Sequence, residues 1–180
     1  MNRLTDEYIM EKVKAGNLEY MTELFIRYHQ PILSYLARCT GNLEDSQDLT
    51  QSVFLRMLKY RASFDVSRNF KSWMYSIARN ILHSHYSERK IVVEAIDKYT
   101  FHTSMEVDQN ENNEKLYRCL DQLNEEYREL IILSKFQGLK YKEIAWTFST
   151  TEASIKNKMF RAMDKLRTLF YKLDNQSHEL

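Results

Sequence analysis

Residues 70–90 read FKSWMYSIARNILHSHYSERK. The apolar residues Trp73, Met74, Ile77, Ala78, Ile81 and Leu82 recur at spacings of three and four, which predicts a helix of about six turns with one buried face. Between them stand Lys71, Ser72, Tyr75, Arg79, Asn80, His83 and His85, with no carboxylate until Glu88. A face of cations, amides, hydroxyls and rings holds phosphates and stacks on or hydrogen-bonds to bases. The stretch therefore predicts a helix that lies on nucleic acid, with Trp73 turned to the core.

Charge along the chain supports this. The 180 residues carry a net charge of only +1, but it is unevenly placed. Residues 56–90 hold 8 Lys/Arg against 2 Asp/Glu, residues 91–115 hold 2 against 6, and residues 137–172 hold 8 against 3. Two basic patches flank an acidic connector, so a nucleic-acid strand favours both patches and is repelled by the middle. With 3 Gly and 1 Pro, turn punctuation is sparse and long helices are expected rather than a β sandwich. The expected fold class is all-α, two small helical domains joined by a flexible linker. Cys39 and Cys119 lack metal or CxxC spacing and are expected as buried reduced thiols. The opening MNRLTDEYIMEKVKAG has no apolar run, and no stretch of about 18 apolar residues occurs, so a cytoplasmic protein without membrane insertion is expected.

Upstream of this stretch, residues 5–15 predict a first helix closed by Gly16-Asn17. A second helix is expected over 18–29, with Pro31 opening a further one to about Cys39. The helix over 43–60 has a divided surface: Asp45, Asp48 and Gln51 step along one side, while Val53, Phe54, Met57 and Leu58 supply an apolar side. The acidic residues serve either the helix dipole or a protein-docking face. Residues 62–68, ASFDVSR, predict a loop, in which Phe64 is either a plug into the core or a stacking surface. Downstream, periodicity dissolves from Val92 to Asn113, a linker of about 20 residues. It divides the chain into 1–91, 92–113 and 114–180. Asn124 is expected to cap a helix ended by Gly138. Leu139, Ile144, Ala145 and Phe148 mark a short helix, and Thr151 caps a long last one. That succession predicts a helix-turn-helix with a polar and basic outer face suited to a major groove.

With these residues in view, the chain resembles the extracytoplasmic-function sigma factors of bacterial RNA polymerase, in the sigma-70 family. DSQDLTQSVFLR (Asp45–Arg56) resembles the family helix that docks on the polymerase clamp. FKSWMYSIARN (Phe70–Asn80) resembles the helix over the −10 promoter element. GLKYKEIAWTFSTTEASIKNKMFRAMDKLR (Gly138–Arg167) is similar to the helix-turn-helix that reads the −35 element. The resemblance implies a sigma region 2 over 1–91 and a region 4 over 114–180, with core RNA polymerase, promoter DNA and an anti-sigma factor as partners. It assigns polymerase binding to Asp45, Asp48, Leu49, Gln51, Phe54 and Leu55. Contacts to −10 DNA fall to Arg61, Phe64, Asp65, Ser67, Arg68, Asn69, Lys71, Ser72, Tyr75, Arg79, Asn80 and His83, with Phe64 stacking on a flipped base. Contacts to −35 DNA fall to Lys140, Tyr141, Lys142, Thr151, Glu152, Ser154, Lys156, Asn157, Lys158 and Arg161.

The chain also departs from the family. Ser84, Ser87, Glu88, Arg89 and Lys90 thin out the usual Asp and Arg cluster. Asn157-Lys158 replace Ser-Arg, and lysine keeps the charge without the fork that grips guanine, so promoter preference is expected to shift. Enzyme chemistry is not expected: there is no nucleophile triad, Gly-rich phosphate loop or paired carboxylates in a cleft. His83 and His85, two apart, do not share a helix face, so no metal is expected there; nor is a cofactor or a small-molecule substrate expected. The rival readings are a stand-alone helix-turn-helix repressor or activator and an all-helical adaptor that binds only protein.

Overall fold

The computed structural model describes residues 4–93 and 111–177, with side chains described over 4–89 and 114–174. Among them are eight α-helices: α1 Asp6–Lys14, α2 Met21–Thr40, α3 Leu43–Lys59, α4 Phe70–Val93, α5 Glu111–Asp121, α6 Glu125–Ile131, α7 Tyr141–Thr147 and α8 Glu152–Ser177. A 3-10 turn at Leu18–Tyr20 leads into α2, another at Arg61–Ser63 follows α3, and a π-helical turn at Ile132–Phe136 extends α6. Helix α4 runs through Val93 and α5 begins at Glu111, so helix reaches into both ends of the expected linker. Its middle, 94–110, lies outside the described residues.

Capping fixes most boundaries. Side-chain oxygens of Thr5, Asn42, Asn69, Asn124 and Thr151 each accept a backbone N–H three residues on, at 2.8–3.3 Å, satisfying donors that a helix start leaves unpaired. Gly41, at φ 68°, adopts the left-handed conformation that ends α2, where a Cβ is disfavoured.

The expected break at Pro31 does not occur. Helix α2 continues from Met21 to Thr40 with Pro31 inside it. Leu24, Tyr28, Ile32, Tyr35, Leu36 and Cys39 form one unbroken buried stripe across the proline. An interior proline costs about 3 kcal/mol. Each fully buried large apolar side chain returns roughly 1.5–3 kcal/mol, so Ile32 and Leu36 alone offset it.

Helices α1–α4 form the N-terminal half. Its core is Ile9, Met10, Leu24, Ile32, Tyr35, Leu36, Val53, Met57, Phe70, Met74 and Leu82, all buried. Glu7 of α1 accepts the Phe70 N–H at 2.9 Å and so joins the chain start to the start of α4. Helices α5–α8 form the C-terminal half around Leu120, Leu130, Ile131, Ile144, Ile155, Met159 and Ala162. Buried Ala145 lets α7 cross α8 closely, and the intervening turn takes a left-handed residue at Ser149, φ 52°.

The halves are not apart. Helix α7 lies along α4, while α6 and the π-helical turn meet α2, so that buried residues of both halves form one apolar cluster. The cysteines are free and buried. No described helix is long and apolar enough to cross a membrane.

Candidate nucleic-acid and polymerase surfaces

On α3, Asp48, Gln51 and Leu55 face solvent on one side of the helix, and Leu55 is 66% exposed. Leu49 and Leu55 line an open groove with Ser52, Arg56, Ile81, Ser84, His85 and Glu88 of α3 and α4. Two other members of the expected set belong elsewhere. Phe54 is a correction: only 7% exposed, it packs on the Phe25 ring at 4.9 Å. Asp45 is half-buried, bound by Arg89 Nη2 at 2.6 Å and near His85 Nε2 at 3.6 Å, so its charge goes mainly to tying α3 to α4. Burial, then the Arg89 cation, holds the His85 imidazolium pKa down, outweighing the opposite pull of Asp45.

The loop between α3 and α4 is built on Phe64. That ring is fully buried, edge-on to Trp73 at 5.2 Å and to Phe70 at 6.1 Å, while its carbonyl accepts from Lys14 Nζ at 2.6 Å. Stacking of a base on Phe64 is thus corrected to a core plug: an aromatic with no polar group gains more inside than in water. Around the plug, Asp65 accepts from the Ser67 N–H at 3.0 Å and hydroxyl at 2.7 Å, and these bonds lower its pKa. Arg68 and Val66 are exposed, and the Arg68 guanidinium stands 5.6 Å from the Trp146 ring of α7. Arg61 caps the α3 end through the Leu58 carbonyl, and Asn69 caps α4, so both amide and guanidinium already have backbone work.

The polar face of α4 is divided. Lys71 and Asn80 are open to solvent. Ser72 and Tyr75, expected on DNA, are 3% and 2% exposed beneath the C-terminal half. The Tyr75 hydroxyl donates to Gln137 Oε1 at 2.9 Å, and Thr147 Oγ1, which donates to the Glu143 carbonyl of its own helix at 3.0 Å, lies 3.4 Å from the Ser72 carbonyl. Arg79 Nε donates to Glu129 Oε2 at 3.0 Å and stacks its guanidinium on Phe148 at 4.0 Å. His83 Nε2 meets the other Glu129 oxygen at 2.8 Å. In this arrangement Ser72 and Tyr75 are covered by protein, while Arg79 and His83 are engaged by Glu129 and stay partly open to solvent.

The helix-turn-helix keeps its outer face. Lys142, Thr151, Glu152, Lys156, Asn157 and Arg161 are exposed, and Lys140 is exposed at the α7 start, where its N–H donates to Glu143 at 2.6 Å. Tyr141 and Ser154 are half-buried. Lys156 pairs with Glu152 at 2.9 Å, a solvated i,i+4 pair worth a few tenths of a kcal/mol, and Lys158 turns back to Glu126. The cation, amide and guanidinium of Lys156, Asn157 and Arg161 therefore project together from the first turns of α8.

The comparisons with known proteins agree with this layout. Residues 24–91 match the family model for sigma-70 region 2, and residues 113–166 match that for sigma-70 region 4. RNA polymerase sigma factor YlaC of Bacillus subtilis is 31% identical over 153 residues, covering 81% of this chain and 88% of that protein. The chain belongs to the ECF sigma factors. It is also similar to the ECF RNA polymerase sigma-E factor of Escherichia coli, 25% identical over 179 residues, covering 91% of this chain and 93% of that one. Two solved structures share the fold. One is the sigma factor RpoE in complex with the anti-sigma factor NepR from Bartonella quintana, TM-score 0.74 and 21% identity over 83% of this chain and 96% of that one. The other is CnrH in complex with the cytosolic domain of CnrY, TM-score 0.70 and 20% identity over 93% of this chain and 97% of that one. As an ECF sigma factor the chain directs promoter-specific transcription initiation with core RNA polymerase.

Glu129, Gln137, Thr147 and Phe148 meet the α4 face across the two halves, and the sequence alone does not single them out for it. Glu129 sat in an acidic helix start, EEYRE, where the helix dipole accounts for carboxylates. A carboxylate directly before Leu130 and Ile131, on the apolar side of a helix, was the available signal.

Proposed function

We propose that the three surfaces act in series on one promoter. Asp48, Gln51, Leu49 and Leu55 of α3 hold the polymerase clamp. The outer face of α8, with Lys156, Asn157 and Arg161, reads the upstream duplex from the major groove, helped by Lys142 and by Lys140 at the α7 start. The 61–69 loop, with Asp65, Ser67 and Arg68, and the α4 face of Lys71, Arg79, Asn80 and His83 hold the downstream element as it opens. The observation that carries this reading is the joint exposure of a polar–apolar strip on α3 and a basic, amide-bearing strip on the start of α8, on one chain. The chemistry is non-catalytic: binding energy spent on phosphates and base edges offsets the few kcal/mol that unstacking a base costs. Such a protein works in the cytoplasm, where the polymerase is, and an anti-sigma protein is its expected regulator.

Footprinting of the reconstituted holoenzyme on a promoter mapped by its own start sites tests the assignment. Asn157→Ala should weaken upstream protection while leaving downstream thymines reactive to permanganate once bound. Asn80→Ala should lower permanganate reactivity with upstream protection intact. Loss of both signals together in both variants would contradict separate reading of the two elements.

A further inference from the structure

The clearest physical anomaly in the molecule is the carboxylate of Glu129. It is wholly buried, yet among the described residues both of its hydrogen-bond partners, Arg79 at 3.0 Å and His83 at 2.8 Å, belong to α4 in the other half of the chain. A buried carboxylate without a cation is strongly disfavoured, so the other half of the chain compensates this charge. Around it lie further contacts across the same boundary. Phe148 stacks on Arg79, Gln137 takes the Tyr75 hydroxyl, and Thr147 reaches the Ser72 carbonyl. At the far end, Arg128 Nη1 donates to the Cys39 carbonyl at 3.0 Å, an acceptor near the end of α2 that it shares with the Tyr86 hydroxyl.

These contacts are selective. Ser72, Tyr75, Arg79 and His83, four residues of the α4 face assigned to promoter DNA, are covered or engaged. Asp48, Gln51 and Leu55 on α3, and Lys156, Asn157 and Arg161 on α8, stay exposed. Closure therefore covers part of one of the three surfaces, leaving Lys71 and Asn80 of α4 open, and leaves the other two free.

We infer that the chain on its own is held shut by an intramolecular clasp, in which the Glu129 carboxylate takes the place of a DNA phosphate on Arg79 and His83. An anion on α6 and the phosphates of a downstream strand compete for the Arg79 guanidinium and the His83 ring, so this part of the downstream face engages DNA only after the C-terminal half has swung away. The free protein is thereby kept off single-stranded DNA while its polymerase-binding strip stays available. This inference rests on the reading of α4 as the downstream DNA face.

The test uses the full chain with two readouts: small-angle scattering for closure, and fluorescence anisotropy with a random-sequence single-stranded oligonucleotide pool for DNA access. Glu129→Arg places like charge against Arg79 and should expand the chain and tighten oligonucleotide binding. If the open form is about a tenth of the free population, the gain is about tenfold, since apparent affinity scales with the competent fraction. Gln137→Arg, at the half-buried end of the π-helical turn, should act in the same direction and serves if Glu129→Arg does not fold. Unchanged scattering in a folded variant overturns the clasp. Expansion without tighter binding overturns its inhibitory role, and places the failure in the assignment of α4 to DNA rather than in the closure.

Discussion

Phe64 shows how one side chain decides between two readings of a loop. Its ring is sealed against Phe70 and Trp73, so Phe64→Ala should cost about 3–5 kcal/mol of stability through lost contacts and a cavity. Urea denaturation followed by circular dichroism checks this, and a change under about 0.5 kcal/mol, usual for a surface site, would restore Phe64 as a stacking platform. Asp48 is the opposite case. It is exposed, with no ion pair or hydrogen bond to its side chain among the described residues, so Asp48→Arg should leave the melting temperature nearly unchanged and abolish capture of core polymerase in a pull-down. Unfolding of that variant would make Asp48 structural. Residue roles were only partly legible in the sequence. Spacing placed Asp45, Asp48 and Gln51 on one side of α3, but could not show that Asp45 meets Arg89 more than 40 residues on. Glu129 escaped for the same reason: its partners lie 46 and 50 residues back, beyond any local pattern.

At the scale of elements the sequence was more informative, because caps and apolar periods are local. Asn124 and Thr151 cap α6 and α8 as expected, and the helix-turn-helix stands where its apolar spacing put it. Thr151→Ala should cost about 1 kcal/mol, seen as a lower denaturation midpoint with an unchanged slope. The α8 strip predicts a measurable electrostatic signature. If Lys156 binds a phosphate, Lys156→Ala should lower the slope of log affinity against log salt by about 0.9 for duplex promoter DNA. An unchanged slope would remove Lys156 from the backbone contacts. The misread element is α2. In the sequence Pro31 reads as a boundary, whereas the buried stripe from Leu24 through Leu36 keeps its phase across it and outweighs the lost backbone bond.

For the whole molecule, two helical halves were expected, and two are present, but their contact was not legible in the sequence. Composition separated the basic patches. It could not show that α7 would lie along α4, because that docking depends on Thr147, Phe148 and Gln137 meeting a face otherwise read as a DNA surface. The α4 face that meets the C-terminal half is thus the one we propose for promoter DNA. This chain supplies promoter choice to core RNA polymerase, and run-off transcription over a genomic promoter library, with the start sites sequenced, is the decisive measurement. Core enzyme plus this chain should start at a small set of sites sharing an upstream and a downstream element, with neither component doing so alone. Start sites identical to those of core enzyme alone, with the chain binding duplex sites by itself, would contradict it.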